Sequence, residues 1–408
     1  MKILLVNKFY YPQGGAERYL FELKSLLEKN GHQVIPFAMS DEKNVASPWE
    51  GFFVSRVETM APRGLWQKFR TAGRMLYSWE ARRKLSRLIK ETKPDVAHLH
   101  NIYHQISPSI LPVLKKHKIP TVMTVHDYKL ICPNYILYTK GEACKRCIKG
   151  NFYNACRYRC LKDSFSASLL ATVEMYFHRI LNIYRKNIDL YIAPSRFVKE
   201  RLMEAGFSEE KIIVQSHFAI HQELENSENL DSEKYFLYIG RLKREKGVDL
   251  LIEAMKTFPD TKLKIIGKGP DEAQLRNYVE IAKINNVKFL GHLDGQQVFS
   301  YLKNSLGLIV PSRVWETFGL STAEAMAYGK PVIASNLGAL PELVRDDETG
   351  LLFEPENTKE LAEKILYLIN NPADRERFGQ AGYQIARDML DPQKHYQQIV
   401  KIYEQAKK

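Results

Sequence analysis

Short β-rich runs alternate with longer helical patterns along nearly the whole chain, and the alternation starts afresh past its midpoint. Lys2–Val6, Gln33–Phe37, Val96–His100, Pro120–Val125 and Asp189–Ala193 read as strands in the first half. Each is mostly Val, Ile and Leu without clean polar alternation, the mark of a parallel strand covered on both faces. Between them lie helical stretches such as Ala16–Lys29, which follows a glycine pair and stops before Gly31. In the second half Tyr235–Gly240, Lys262–Gly267, Val287–Leu290, Leu306–Val310 and Pro331–Ala334 repeat the strand pattern, with Val248–Lys256, Pro270–Ile284 and Ser321–Tyr328 helical between them. Two successive βα arrays specify an α/β chain of two doubly wound, Rossmann-like domains. The length of 408 residues suits two, at roughly 150 residues each. We assign 1–221 to the first domain and 234–390 to the second. The linker is 222–233, where Gln, Glu, Asn and Ser crowd together, and a terminal amphipathic helix at 391–408 is expected to pack back on the first domain. Ligands in this architecture sit where the C-terminal edges of the sheets meet a cleft.

Charge is divided unevenly between the halves. Residues 1–200 hold 33 basic and 16 acidic side chains, and residues 201–408 hold 27 and 31, so the net +13 resolves into +17 and −4. A basic half implies an anionic partner. No run approaches the ~18 apolar residues of a membrane span, and the short apolar start at Met1–Asn7 reads as a first strand, not a signal peptide. The reading is a cytoplasmic protein, with its five cysteines reduced.

The most informative stretch is Val310-Pro-Ser-Arg-Val-Trp-Glu316-Thr-Phe-Gly319-Leu-Ser-Thr-Ala-Glu324-Ala-Met-Ala-Tyr-Gly329-Lys-Pro331. A strand runs into a loop at Glu316 and a helix begins near Gly319 or Leu320. The backbone N–H groups of Thr317, Phe318, Gly319, Leu320 and Ser321 would then form an anion site that needs no lysine. Glu316 and Glu324 can both accept hydroxyl hydrogens from one ligand. Equally, Glu316 can complement the helix dipole while Glu324 is a solvated helix residue, and spacing alone does not choose.

The identity of the residues does. Glu-x7-Glu within this Phe-Gly-Leu and Ala-Met-Ala-x-Gly-x-Pro-Val context resembles the donor-sugar motif of retaining glycosyltransferases of family 4. The stretch Gly240-Arg241-Leu-Lys-Arg-Glu-Lys246-Gly247 is similar to that family's Gly-Arg-Leu-x-x-x-Lys-Gly element. The resemblance implies the GT-B fold, two Rossmann-like doubly wound domains facing across a cleft, with a UDP- or GDP-sugar donor on the second and a glycan or lipid-linked acceptor on the first. It implies that Arg241 and Lys246 hold the donor diphosphate, a sound arrangement because two cations can neutralise a departing diphosphate with no metal cofactor. Glu324 would take the ribose hydroxyls, Glu316 would touch the transferred sugar, and Gly240 and Gly267 would shape the nucleotide pocket. In the first half, Gly14-Gly15 resembles the family's glycine loop, where paired glycines permit positive φ and close approach to a ligand. Thr124-Val-His126-Asp127 is similar to its His-Asp element, which makes His126 a catalytic residue. His98 and His100 share a strand face and, with His104, are weaker candidates. Where the family has an Asn-Gly- or Asn-Phe-type turn, this chain reads Gln215-Ser-His217-Phe-Ala-Ile-His221, and both histidines read as loop residues.

Two features lie outside that resemblance. The cysteine-rich insertion at 132–160 places Cys144, Cys147, Cys156 and Cys160 at spacings suited to a structural zinc site, with reduced loop thiols as the alternative. The stretch Arg63–Lys93 carries ten basic and two acidic residues among apolar ones at helical spacing. It reads as a basic helix on an anionic membrane, or as one packed on its own sheet. Nucleic acid is not expected, since no recognised binding motif accompanies the charge. The function implied is transfer of a hexose or N-acetylhexosamine to a lipid-linked or cell-envelope polysaccharide precursor, peripherally on the inner face of the plasma membrane. A sugar-nucleotide epimerase and a non-catalytic nucleotide-sugar-binding protein are the alternatives.

Overall fold

A computed structural model describes residues 1–57, 65–218, 234–293 and 295–408, with the backbone alone for 65–70. The linker expected at 222–233 and His221 lie outside these residues, as does Arg63. The chain divides into two compact units. One is Met1–Lys140, Cys144–His217 and Pro392–Lys408, and the other is Gly141–Ala143 and Phe218–Asp391.

The first unit is built on a six-stranded parallel sheet. Its strands are β1 (Lys2–Val6), β2 (Gln33–Phe37), β3 (Val96–Leu99), β4 (Thr121–Thr124), β5 (Leu190–Ala193) and β6 (Ile212–Val214), in the order β2-β1-β3-β4-β5-β6. The second unit repeats the plan with β7 (Tyr235–Ile239), β8 (Lys262–Ile266), β9 (Val287–Gly291), β10 (Gly307–Val310), β11 (Val332–Ser335) and β12 (Gly350–Phe353), in the order β9-β8-β7-β10-β11-β12. The continuous apolar runs are explained by cover on both faces. Phe236 and Tyr238 enter a core beneath the helices Val248–Met255 and Thr358–Asn370, while Tyr235 and Leu237 enter a separate core beneath Leu320–Ala327 and Pro372–Met389. Alternate residues of one strand thus feed two cores, and each demands an apolar side chain.

Strand order fixes where ligands can enter. In each sheet the chain reverses its direction of travel beside the first strand, between β1 and β3 in one unit and between β7 and β10 in the other. The loops leaving those strands part there and open a crevice. They carry Gly14, Gly15 and His100 in the first unit, and Gly240, Lys246 and Glu316 in the second.

Within the basic stretch, the part at 79–92 needs a correction. Helix Trp79–Thr92 is capped by Ser78, whose hydroxyl accepts from the Ala81 amide at 3.2 Å, and its apolar side, Ala81, Leu85, Leu88 and Ile89, is buried. Arg82 donates to the Ser109 carbonyl at 2.9 Å, Lys84 donates to the Phe53 carbonyl, and Arg74 and Lys84 both pair with Glu80. This face belongs to the protein's own core and is not offered to a bilayer.

Candidate functional site

In the second unit the backbone comes first. Gly267 holds φ +142°, and a Cβ on it would stand 1.9 Å from the Gly240 carbonyl oxygen; at Gly247, φ +69°, a Cβ would stand 1.8 Å from the Pro311 carbonyl oxygen. Only glycine permits these approaches, so the loops after β7, β8 and β10 close against one another. That closure brings Lys246 to Glu316. The ammonium donates to the carboxylate Oε1 at 2.7 Å, and the buried Ser312 hydroxyl donates to the same oxygen at 2.8 Å. Gly319, at φ +101°, turns the chain into the helix Leu320–Ala327, whose N-terminus has no side-chain cap. Thr317, Phe318, Leu320 and Ser321 flank that turn. Glu324 is buried within the helix, which rules out a merely solvated residue, and Arg241 is exposed on the loop leaving β7. A neighbouring Arg313 ties this loop down, pairing with Asp249 and Glu356 and donating to the Arg244 carbonyl at 2.9 Å. Lys246, Glu316, Gly240 and the start of the 320–327 helix therefore stand together, although 70 residues separate Lys246 from Glu316. The sequence showed both residues but not their pairing.

The first unit presents a different chemistry. Gly14 has extended backbone and Gly15 opens the helix Gly15–Lys29, so neither uses the positive φ that paired glycines suggested. What they provide is space, since a Cβ at Gly14 would meet only a Glu17 carboxylate oxygen at 3.6 Å. Beside this loop five histidines gather, four of them buried and His126 partly so. His98 stacks on His100 with ring centroids 4.4 Å apart, His100 stacks on His126 at 5.1 Å, and His126 approaches His217 at 5.2 Å. His100 Nδ1 and His126 Nε2 are hydrogen-bonded at 2.8 Å; Tyr403 and Thr124 hold His98 at 2.8 and 2.7 Å. Tyr19 lies 4.2 Å from the His217 ring and meets His395 at 3.0 Å. His126 is thus found in a network, and His217, in a loop as expected, is nonetheless a buried member of it. His395, from the helix Pro392–Ala406, escaped sequence reasoning because nothing local marks it.

Burial, reinforced by His126 and His395, pushes His98 down to about 3; burial and the Lys8 charge do the same to His126, and burial takes His395 to about 3. Burial and neighbouring imidazoles drive His100 and His217 well below the usual range. The cluster is neutral at physiological pH, so it can pass or position protons without carrying charge. The same unit also holds a triad of buried Lys129, buried Glu174 and partly buried His104. Lys129 donates to Glu174 Oε2 at 2.7 Å and His104 Nδ1 lies 3.3 Å from Oε1. Burial alone would raise the Glu174 carboxyl, but Lys129 and then His104 outweigh it and hold the group below the ordinary carboxylate range.

The cysteines do not form the expected set. Cys156 turns to the Thr172 hydroxyl at 3.3 Å and Cys147 to the Asn151 carbonyl at 3.6 Å, while Arg146 donates to Cys144 at 3.3 Å. Cys132, Cys144, Cys147 and Cys160 line one small cavity that Cys156 does not reach. Burial pushes the Cys132 thiol up to about 12, which favours the protonated form. Among the described residues no three His, Cys, Asp or Glu side chains stand where they could hold a metal ion.

Comparison with known proteins agrees with both units. The Glycosyltransferase Family 4 model matches residues 13–218 and the Glycosyl transferases group 1 model matches 221–385. An uncharacterized glycosyltransferase of Methanocaldococcus jannaschii is 33% identical over 219 residues, 54% of this chain and 60% of that protein. The phosphatidyl-myo-inositol mannosyltransferase of Mycobacterium leprae is 34% identical over 176 residues, 42% of this chain and 46% of that protein. Among solved structures, Anabaena HepE in complex with UDP-glucose superposes with a TM-score of 0.70 at 20% identity, covering 99% of this chain and 100% of that one. Taken with the paired parallel sheets and the motifs at their switch points, these matches show that the chain belongs to glycosyltransferase family 4 and has the GT-B fold.

Proposed function

We propose that this glycosyltransferase moves a hexose or N-acetylhexosamine, with retention at the anomeric carbon, from a UDP- or GDP-sugar to a hydroxyl of a lipid-linked or cell-envelope polysaccharide precursor. The reading is supported above all by Lys246, Glu316 and Ser312 meeting beside the uncapped start of the 320–327 helix. A donor diphosphate takes the Lys246 ammonium and the amides near Phe318 and Gly319, with Arg241 as a second cation. Drawing Lys246 away leaves the Glu316 carboxylate to accept a hydroxyl of the sugar, while Glu324 serves the ribose. The bond from the anomeric carbon to the phosphate oxygen breaks, the acceptor oxygen bonds to that carbon on the same face, and the acceptor proton passes to the leaving phosphate. The cations and amides stabilise the charge that grows on that phosphate, and the mechanism calls on no metal. Neutral His126 stands beside the transferred sugar. The UDP-glucose and UDP complexes of Anabaena HepE favour uridine as the base. The acceptor places the enzyme peripherally on the inner face of the plasma membrane.

A panel of UDP-, GDP- and ADP-sugars tests the reading by thermal shift and slow hydrolysis, because a ligand stabilises the folded state by RT ln(1 + [L]/Kd). One nucleotide family should raise the unfolding temperature and be hydrolysed. No response to any of the three would reject the proposal.

A further inference from the structure

The apolar face of the 79–92 helix is turned inward and cannot serve the membrane partner proposed above, but the chain carries a different surface suited to it. Helix Phe165–Ile180 starts at Ser164, whose hydroxyl accepts from the Ala167 amide at 3.4 Å, and packs through Ser168, Ala171, Glu174, Met175 and His178. Its other side is apolar yet uncovered. Phe165, Leu169, Val173 and Ile180 are 56%, 44%, 46% and 81% exposed, and Leu181 follows at 47%. At 3.6 residues per turn the first four fall within an arc of about 80°, forming a stripe roughly 22 Å long. Scattered exposed leucines are ordinary, but a continuous stripe on one helix marks an interaction surface.

Its surroundings indicate the partner. From Lys145 to Lys186 the chain has nine basic residues against Asp163 and Glu174, and Glu174 is buried in the triad with Lys129. Arg157, Arg159 and Lys162 precede the helix and are exposed, as are Lys149 and Arg179. The Tyr153 ring, 54% exposed, comes from the same insertion, where its backbone amide donates to the Tyr176 hydroxyl at 3.3 Å. An apolar stripe with cations at its border and an aromatic ring beside it complements an anionic lipid surface, with side chains for the acyl boundary and charges for the headgroups. We propose that the Phe165–Leu181 face, bordered by the cysteine-rich insertion, docks this enzyme on an anionic bilayer.

The proposal deepens the membrane part of the functional reading but does not depend on the donor chemistry, and the test separates them. The full chain is floated with vesicles of phosphatidylcholine and phosphatidylglycerol at 7:3, and with phosphatidylcholine alone, while sugar-nucleotide hydrolysis is followed without vesicles. Wild-type protein should float with the anionic vesicles, much less with the neutral ones, and lose binding as salt rises. Leu169→Asp with Val173→Asp, and separately Arg157→Glu with Arg159→Glu and Lys162→Glu, should each lower the bound fraction at least tenfold with the unfolding midpoint and hydrolysis unchanged. Ile180→Trp should raise it severalfold, and Arg83→Glu with Lys90→Glu should change it less than twofold. Binding that survives Leu169→Asp with Val173→Asp would overturn the proposal. So would wild type that fails to float, or sedimentation showing that those substitutions abolish a dimer instead.

Discussion

The two units share a sheet plan and a glycine-lined opening beside their first strands, yet they fill it with opposite chemistry. At the β7/β10 switch point the groups are charged and partly exposed, with Lys246 and Glu316 joined as an ion pair. At the β1/β3 switch point they are largely buried and neutral, with five imidazoles clustered near the Gly14–Gly15 loop. If the proposed donor site holds, the difference teaches that net charge does not locate phosphate chemistry here. Three of the five imidazoles, His98, His100 and His126, come from the +17 half, whereas the motif proposed for the donor lies in the −4 half. Fixed cations matter where a phosphate must be held, and an uncharged network suits a position beside a sugar.

The comparison can be broken most forcefully at the ion pair. Lys246→Ala and Glu316→Ala should each reduce transfer by about 10³-fold, the scale of removing one preorganised charge-stabilising group, with the unfolding midpoint nearly unchanged. A progress curve for donor consumption in the presence of acceptor reads this directly. In the first unit, His126→Ala should cost about 10²-fold in kcat with little change in donor affinity. The His100 Nε2 atom is buried without a partner among the described residues. The arrangement that leaves no imidazole N–H unpaired there has Nδ1–H of His100 donating to Nε2 of His126. His100→Asn should therefore lower kcat by about tenfold and shift its pH profile, as expected of a positioning residue.

Stability sharpens the same contrast. Glu174→Gln leaves Lys129 buried without its counter-charge and should destabilise the first unit by about 3 kcal/mol in urea titrations. Mild acid acts more gently. His98, His126 and His395 have folded values near 3 against about 6.5 unfolded, so their contribution is complete above the unfolded value and is lost as pH falls through the window toward 3. Each can cost up to ~1.4 kcal/mol per pH unit below 6.5. Thermal unfolding at pH 7 and pH 5 should show the first unit losing stability at the lower pH; an unchanged midpoint would mean that the imidazoles protonate within the folded cluster.

Much of this architecture was legible in the chain. The strands were readable because a parallel strand buried on both faces cannot alternate polar and apolar residues. The short edge strands Ile212–Val214 and Gly350–Phe353 are not legible, as three or four residues give periodicity little to work with. Lys246, Glu316 and Glu324 were visible through local motifs, each tied to a strand end or a helix start. The histidine cluster was not, because His98, His126, His217 and His395 come from four distant segments, and a lone histidine looks alike in a core and in a loop. The 79–92 part of the basic stretch misled for a related reason: an amphipathic helix has the same pattern whether its apolar face meets a bilayer or its own sheet. The exposed stripe on 165–180 had no distinctive sequence pattern, since that helix carries apolar residues on several sides and only packing shows which are left uncovered.

The division of labour between the units can be measured in one calorimetric titration series with UDP or GDP, whichever the donor panel selects, against wild type, Lys246→Ala and His126→Ala. The account predicts that Lys246→Ala weakens nucleotide binding at least tenfold while His126→Ala leaves it within twofold of wild type. Equal losses in both variants, or wild-type affinity in Lys246→Ala, would contradict it.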